Sequence, residues 1–396
     1  MNEWKEYKLG EIADITPGFA FKSKDFGQAG ELVVKIKDIA PPYIDLSNAD
    51  RVDLSPYDKN KLSKYLLYEG DYVVAMTGAT IGKVGKLKTD KSAYLNQRVA
   101  KIKAKEGVCD GFVYFSICGD DFQAFIQNNI DSNSAQENIS ASSIGRFPIL
   151  LPPFPEQRRI ASILSSLDDK IDLLHRENAT LEQMAETLFR QWFVEEAKEE
   201  WEEGTVAAFA QHCKESINPQ KHPNSIFLHY SIPAFDGGKN PTVETGENIQ
   251  SNKYLVPSNC ILFSKLNPHK DKRVWLMLNN VPDNAICSTE FQIVKPIKPE
   301  YLYFLYGWLM NKENYDEIAS GVGGTSGSHQ RIDPKSIFSF ACPNVDSETI
   351  RNYNNKVEPL FYKIRNNQKQ IQTLIQTRDG LLPKLMSGEV KIESRK

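Results

Sequence analysis

PEQRRIASILSSLDDKIDLLHREN, residues 155–178, decides how this chain is organised. Pro152, Pro153 and Pro155 end whatever precedes them and pre-set the backbone for a helix start. No Pro or Gly then occurs until Gly204. Apolar residues recur in alternating steps of four and three, the spacing of a heptad seam. Leu164, Ile171, Ala185 and Trp192 occupy one seam position (a), and Ile160, Leu167, Leu174, Leu181 and Leu188 the other (d). Asn178 interrupts the a row with a polar side chain. Roughly 36 helical residues extend about 54 Å. A stripe of that length needs a partner helix of similar length.

The C-terminus supplies one. Arg351 lies 193 positions after Arg158, and at that one offset Leu167, Lys170, Ile171, Leu181, Gln183 and Leu188 recur as Leu360, Lys363, Ile364, Leu374, Gln376 and Leu381. Upstream of the seam, Ile139, Ile144 and Phe147 recur as Ile332, Ile337 and Phe340. Heptad periodicity alone would align the leucines but not Arg158, Lys170 and Gln183. The second seam runs Tyr353, Val357, Leu360, Ile364, Ile371, Leu374, Leu381 and Leu385, interrupted by Asn367 at d and Arg378 at a. Weaker echoes join WKEYKLGEIA (4–13) to WEEGTVAAFA (201–210) and GDYVVA (70–75) to SNCILF (258–263). The chain therefore reads as a tandem duplication, globular–helix–globular–helix. Its boundaries are expected at 1–151, 152–200, 201–343 and 344–396.

A length of 396 residues exceeds one ordinary core, and 40% hydrophobic with 25% charged residues is a soluble globular balance. No run approaches a membrane span, and the polar opening MNEWKEYKLGEIAD does not read as a signal peptide. The six cysteines form no CxxC pair, so no zinc site or disulfide framework is expected, and a reducing cytoplasm fits best. Net charge is −3. Residues 151–203 hold 13 acidic and 6 basic side chains, a net −7. An anion-binding surface must then come from local clusters on the heads.

Both heads read as α+β, with short strands, intervening helical patches and a sheet resembling a partial barrel. MTGATIGKVGK (76–86) is one residue short of a P-loop and has Val84 where Ser or Thr would hold Mg²⁺, so it reads as a Gly-rich hairpin. Its Thr77, Lys83 and Lys86, with Lys88 beyond, can meet phosphates and bases. IAPPY (39–43) has Ala40 where an amino-methyltransferase motif needs a hydrogen-bond acceptor. YLNQRVAKIKAK (94–105) offers Asn96, Gln97 and Arg98, residue types that read adenine and guanine edges. KLNPHKDKRVW (265–275) is its basic counterpart, with Lys265, His269, Lys270, Lys272 and Arg273. Each head also carries a polar loop. NSAQENIS (133–140) holds Gln136 and Asn138, and SGVGGTSGSHQRID (320–333) holds Ser328, His329, Gln330 and Arg331. No HExxH, GxSxG or paired-carboxylate motif stands out, and no metal ligands are expected.

LPPFPEQRRIASILSSLDDKIDLLHREN (151–178) with LFRQWF (188–193) closely resembles the conserved region of type I restriction–modification specificity subunits. So do WKEYKLGEIADI (4–15), GDYVVAMTGATIGKVG (70–85), AQENIS (135–140) and LLPKLMSGE (381–389). The second head departs from the pattern, with neither AQxNIS nor IGKxG. The resemblance implies two target-recognition domains in pseudo-twofold tandem repeat, separated by two long antiparallel coiled-coil helices. Each domain would read one half of a split double-stranded DNA sequence. The subunit would itself be non-catalytic, without a cofactor of its own. It would recruit two modification (methyltransferase) subunits and then restriction subunits, and these partners would bind S-adenosylmethionine, ATP and Mg²⁺. In an antiparallel pair a faces d, so Asn178 and Asn367 are expected to meet and fix the register. The competing readings are a catalytic nucleic-acid enzyme, a structural coiled-coil scaffold, and an orphan DNA-binding protein without restriction partners.

Overall fold

The computed structural model describes residues 4–130, 137–269, 272–320, 331–333 and 336–390. It is mixed α and β and divides into two compact units. One comprises Met1–Leu173 with Gln370–Lys396, and the other Leu174–Lys369. Each unit is a head together with part of each long helix, Phe154–Arg190 and Ser347–Met386.

In the first unit, strands Ala13–Pro17, Val99–Ala104, Tyr72–Ala75 and Val84–Lys86 lie side by side and antiparallel, followed by Tyr43–Ile44 and Ile39–Ala40. A second, five-stranded sheet is centred on Glu31–Val34 and Ala93–Leu95, which run parallel. Strand Tyr72–Ala75 is buried on both faces, and its period of two sorts its side chains. Val73 and Ala75 enter the apolar layer with Val34, Ala93 and Leu95 of the other sheet. Tyr72 and Val74 face the opposite way, into a core built from helices Asp110–Ser116 and Asp120–Asn128 and from Ile160, Leu164 and Leu385 of the long helices. Gly119 stands between these two short helices as the N-cap of the second.

The second head repeats this plan. Strands Ala210–Cys213, Phe291–Pro296, Cys260–Ser264 and Val274–Met277 stand in the same order with the same antiparallel pairing. Its five-stranded sheet has the same single parallel pair at its centre, Ile226–Tyr230 with Ala285–Cys287. Ile261 and Phe263 face the helical core, while Cys260 and Leu262 face the second sheet. The duplication inferred from the helices therefore extends through both heads, where sequence identity has nearly vanished. Neither head closes into the partial barrel expected from its strand content. Each sets most of its strands in two packed sheets, and the first head adds the antiparallel pair Lys5–Lys8 with Pro148–Leu151.

The two tryptophans opening the repeats do equivalent work. Trp4 Nε1 donates to Glu156 Oε2 at 3.2 Å, beside the start of the first long helix. Trp201 Nε1 donates to Asp346 Oδ2 at 3.2 Å, and Asp346 Oδ1 also accepts the Thr349 N–H at 2.8 Å, capping the second helix. That backbone bond comes first among the causes holding the Asp346 carboxyl well below the usual carboxylate range.

The first long helix is α-helical from Phe154 to Arg190 and ends in a π turn, Gln191–Glu195, short of the expected 152–200. Glu195, Glu196, Glu199 and Glu200 place like charge against the negative end of the helix dipole, which accounts for the early stop. The buried stripe also turns. Ala185 is followed inward by Phe189 and Phe193, where a strict heptad would place Leu188 and Trp192. Phe189 seats against Gly307 of helix Leu302–Met310, where a Cβ would lie 2.3 Å from Phe189 Cδ2, so only glycine accommodates it.

Within the second unit the long helices run antiparallel: Phe193 meets Tyr353, and further along Asn178 meets Asn367. Asn367 Nδ2 donates to Asn178 Oδ1 at 2.9 Å and to Glu177 Oε2 at 2.9 Å. The two asparagines are 2% and 9% exposed for Asn367 and Asn178. Within the first unit the other polar interruption, Arg378, donates to Asp168 Oδ1 at 2.9 Å. Asn178→Leu is expected to lower stability by about 1 kcal/mol, because Asn367 keeps Glu177 but loses a buried partner. Leu at both positions is expected to recover that loss, since no polar group is then stranded. Urea midpoints of the three proteins check this, and additive losses would contradict it.

Candidate nucleic-acid interface

Strand register makes the two heads comparable atom by atom. In the first, Met76 N–H donates to Arg98 O at 2.9 Å and Ile139 N–H to Met76 O at 2.9 Å. In the second, Lys265 N–H donates to Glu290 O at 2.9 Å and Ile332 N–H to Lys265 O at 3.1 Å. A bridge joins Thr77 to Asn138 in one head and Leu266 to Arg331 in the other. Ile139 and Ile332 are the buried anchors, 2% and 1% exposed. Residues 331–333 thus stand in the second head where residues 138–140 stand in the first. Arg331 takes the place of Asn138, Glu290 that of Arg98, and Leu266 that of Thr77. The backbone is held and the side chains are changed.

At this end of the first head, Gln97 and Arg98 are exposed. Asn96 is buried instead, its Oδ1 accepting the Arg98 N–H at 3.5 Å, and it acts as a turn residue. Gly18 packs against it so closely that a Cβ would lie 2.1 Å from Asn96 O. The Thr77 hydroxyl is buried without a hydrogen-bond partner among the described residues. The lysine cluster divides. Lys83 lies near the Arg98 end, because its carbonyl accepts from Ala75. Lys86 pairs in register with Tyr72, at the far end of the same strand, with its ammonium 5.4 Å from the Tyr114 ring centre. Lys88 lies beyond it, bound to Asp172 at 3.2 Å and Asp169 at 3.4 Å on the long helix. The central strand separates Lys86 and Lys88 from Arg98.

In the second head the basic run 265–275 also separates. Lys265 is half-buried beside Glu290 and Arg331, and burial pushes its pKa down. His269 is exposed. Lys272 donates to the Met310 carbonyl and lies 5.1 Å from the Tyr315 ring centre. Arg273 is 9% exposed and grips Asp236 through Nε at 2.7 Å and Nη2 at 2.9 Å. These last two are committed to the head's own packing. Gln136, Lys270, Ser328, His329 and Gln330 lie outside the described residues. Glu290, Lys214 and His212 join the cluster without having been singled out by sequence. The signal that could have found Glu290 is the strand match of Val99 with Phe291, which places it where Arg98 stands. Among the described residues no group of three or more His, Cys, Asp or Glu is placed to hold a metal ion.

Residues 1–183 match the family described as type I restriction modification DNA specificity domain. The chain is 25% identical to a type I restriction enzyme MjaIX specificity subunit from Methanocaldococcus jannaschii, over 99% of this chain and 94% of that protein. It is 30% identical to the EcoBI specificity subunit from Escherichia coli, over 48% of this chain and 37% of that one. The crystal structure of a type I restriction–modification system S subunit from M. genitalium matches 99% of this chain and 97% of its own, with a TM-score of 0.59 at 16% identity, which establishes the common fold. The first half of the chain is therefore similar to that family's domain, and the chain as a whole is similar to the MjaIX specificity subunit.

The second head's cluster contains one group that burial has disarmed. His212 stacks on Phe338 with ring centres 5.9 Å apart. Burial first, then Lys214 and Lys265, push its pKa down to about 4 from 6.5. A neutral ring in the fold and a protonatable one in the unfolded chain mean that the unfolded state binds more protons below 6.5. The stabilisation is complete above 6.5 and is lost as pH falls toward 4. His212→Gln is expected to flatten stability between about pH 7 and about pH 5 relative to wild type. Urea unfolding at both pH values measures it, and parallel losses in the two proteins would contradict it.

Proposed function

We propose that this chain is the DNA-recognition subunit of a type I restriction–modification complex, reading a bipartite double-stranded target with one head per half-site. The observation that carries this reading is the register match between heads whose side chains differ. Arg98 and Asn138 in one head correspond to Glu290 and Arg331 in the other. Two copies of one frame with different donor and acceptor sets suit two different half-sites. Lys83, Gln97 and Arg98 are exposed at the first of these ends and His269 and Arg331 are exposed in the second head, so phosphate and base contacts are both available. Lys88 is paired to the long helix and Lys86 lies over the Tyr114 ring of a packed helix, so both serve the head's own packing instead.

The chain acts without catalysis of its own. The paired long helices serve as spacer between half-sites and as the platform for two modification subunits and for restriction subunits. S-adenosylmethionine, ATP and Mg²⁺ are bound by those partners. The complex works in the cytoplasm. Among the described residues no helix is long and apolar enough to cross a membrane, which is compatible with that location.

Methylome sequencing of cells with and without the gene is expected to yield a split motif that depends on it. With purified complex, Arg98→Ala is expected to relax selectivity within one half-site by about tenfold and leave the other half unchanged. Binding should also weaken steeply with salt through its phosphate contacts. Salt-independent binding, or no motif in the methylome, would defeat the reading.

A further inference from the structure

Glu290 and Arg331 form an ion pair at the positions that hold Arg98 and Asn138 in the first head. Arg331 donates to Glu290 through Nε at 3.1 Å and Nη2 at 2.7 Å, a side-on bidentate grip. The Arg331 side chain is nevertheless 57% exposed, against 27% for Glu290. A guanidinium carries five N–H groups in a fixed plane. The grip uses Nε–H and one Nη2–H, which leaves the Nη1/Nη2 edge as a parallel fork directed away from the carboxylate. That fork has the spacing of guanine O6 and N7 in the major groove. Exposed ion pairs add little stability, so the arrangement is not explained by holding the head together. Lys265, and through it Lys214, lies close enough to act electrostatically on this cluster, so cations outnumber the single carboxylate.

We propose that Arg331 reads a guanine in the half-site of the second head and that Glu290 is its positioning residue. This rests on the reading of the chain as a DNA-recognition subunit and names one base of its target. The backbone fixes the aim from both sides. Ile332, the next residue, is buried and donates to Lys265 O, while Lys265 N–H donates to Glu290 O. Both members of the pair are therefore tied to one strand. Removing the carboxylate frees the side chain to sample other rotamers without removing its charge. In the first head the same two positions hold Arg98 and Asn138, so that head presents an amide where the second presents a fork.

The test uses the full chain assembled with its modification subunits and a randomised DNA library. Wild type is expected to select a split motif with an invariant guanine in one half. Arg331→Lys keeps the charge and is expected to lose preference at that guanine by about 10- to 100-fold with the other half-site intact. Glu290→Gln is expected to lose less, about threefold to tenfold, with Glu290→Asp recovering part of it. Replacing the guanine by 7-deazaguanine removes N7 without touching the protein, and should weaken wild type but not Arg331→Lys. Arg331→Lys retaining the guanine preference, or weakening all sequences equally, overturns this proposal while leaving the recognition reading standing. Wild type selecting no motif overturns both.

Discussion

The buried contact between Asn178 and Asn367 fixes which residues of the second unit's helix pair can meet. A seam of leucine and isoleucine alone is tolerant, because sliding by a heptad buries nearly the same area. Two amides 2.9 Å apart are not tolerant, since any slip strands both in an apolar seam. Ala185, Phe189, Phe361 and Ile364 then fall into one core with the helix Leu302–Met310. The seat of Phe189 against Gly307 exists only in that register. Specificity of assembly is thus obtained from polar groups, and stability from the apolar ones around them.

The first unit solves the same problem with charge. Asp168 and Arg378 meet at 2.9 Å, where the 193-residue offset places Phe361 and Ala185 in the second unit. Burial pushes the Asp168 carboxyl up, and Arg378 pulls it down by a hydrogen bond and its charge. Such a pair gains little net stability over apolar packing but is costly to break singly. Each unit therefore carries its own polar lock of different chemistry, and the duplicated helices are no longer interchangeable.

Sequence periodicity located both long helices, both asparagines and Arg378, because one stripe of fixed spacing constrains dozens of positions at once. It located neither Asp168, which flanks the seam, nor the inward turn to Phe189, which depends on a glycine more than a hundred residues away. The head strands were partly readable, since GDYVVA and SNCILF carry the same buried pattern. The candidate site was readable at Lys83, Gln97, Arg98, His269 and Arg331, which stand exposed. Lys272 and Arg273 have the composition of a phosphate-binding run, yet Met310, Tyr315 and Asp236 claim them. Composition records which groups a segment owns, and only the tertiary fold decides which of them are already taken.

The match between residues 138–139 and 331–332 shows why the second head looks unlike the first in sequence. What is retained is a backbone bond to the residue after the central strand and a buried isoleucine that anchors it. Neither depends on the side chain one position earlier, where Asn138 and Arg331 differ. A frame held by main-chain hydrogen bonds and one apolar anchor lets the neighbouring side chain change from amide to guanidinium without altering the fold. Two heads can then diverge in what they present while remaining one structure.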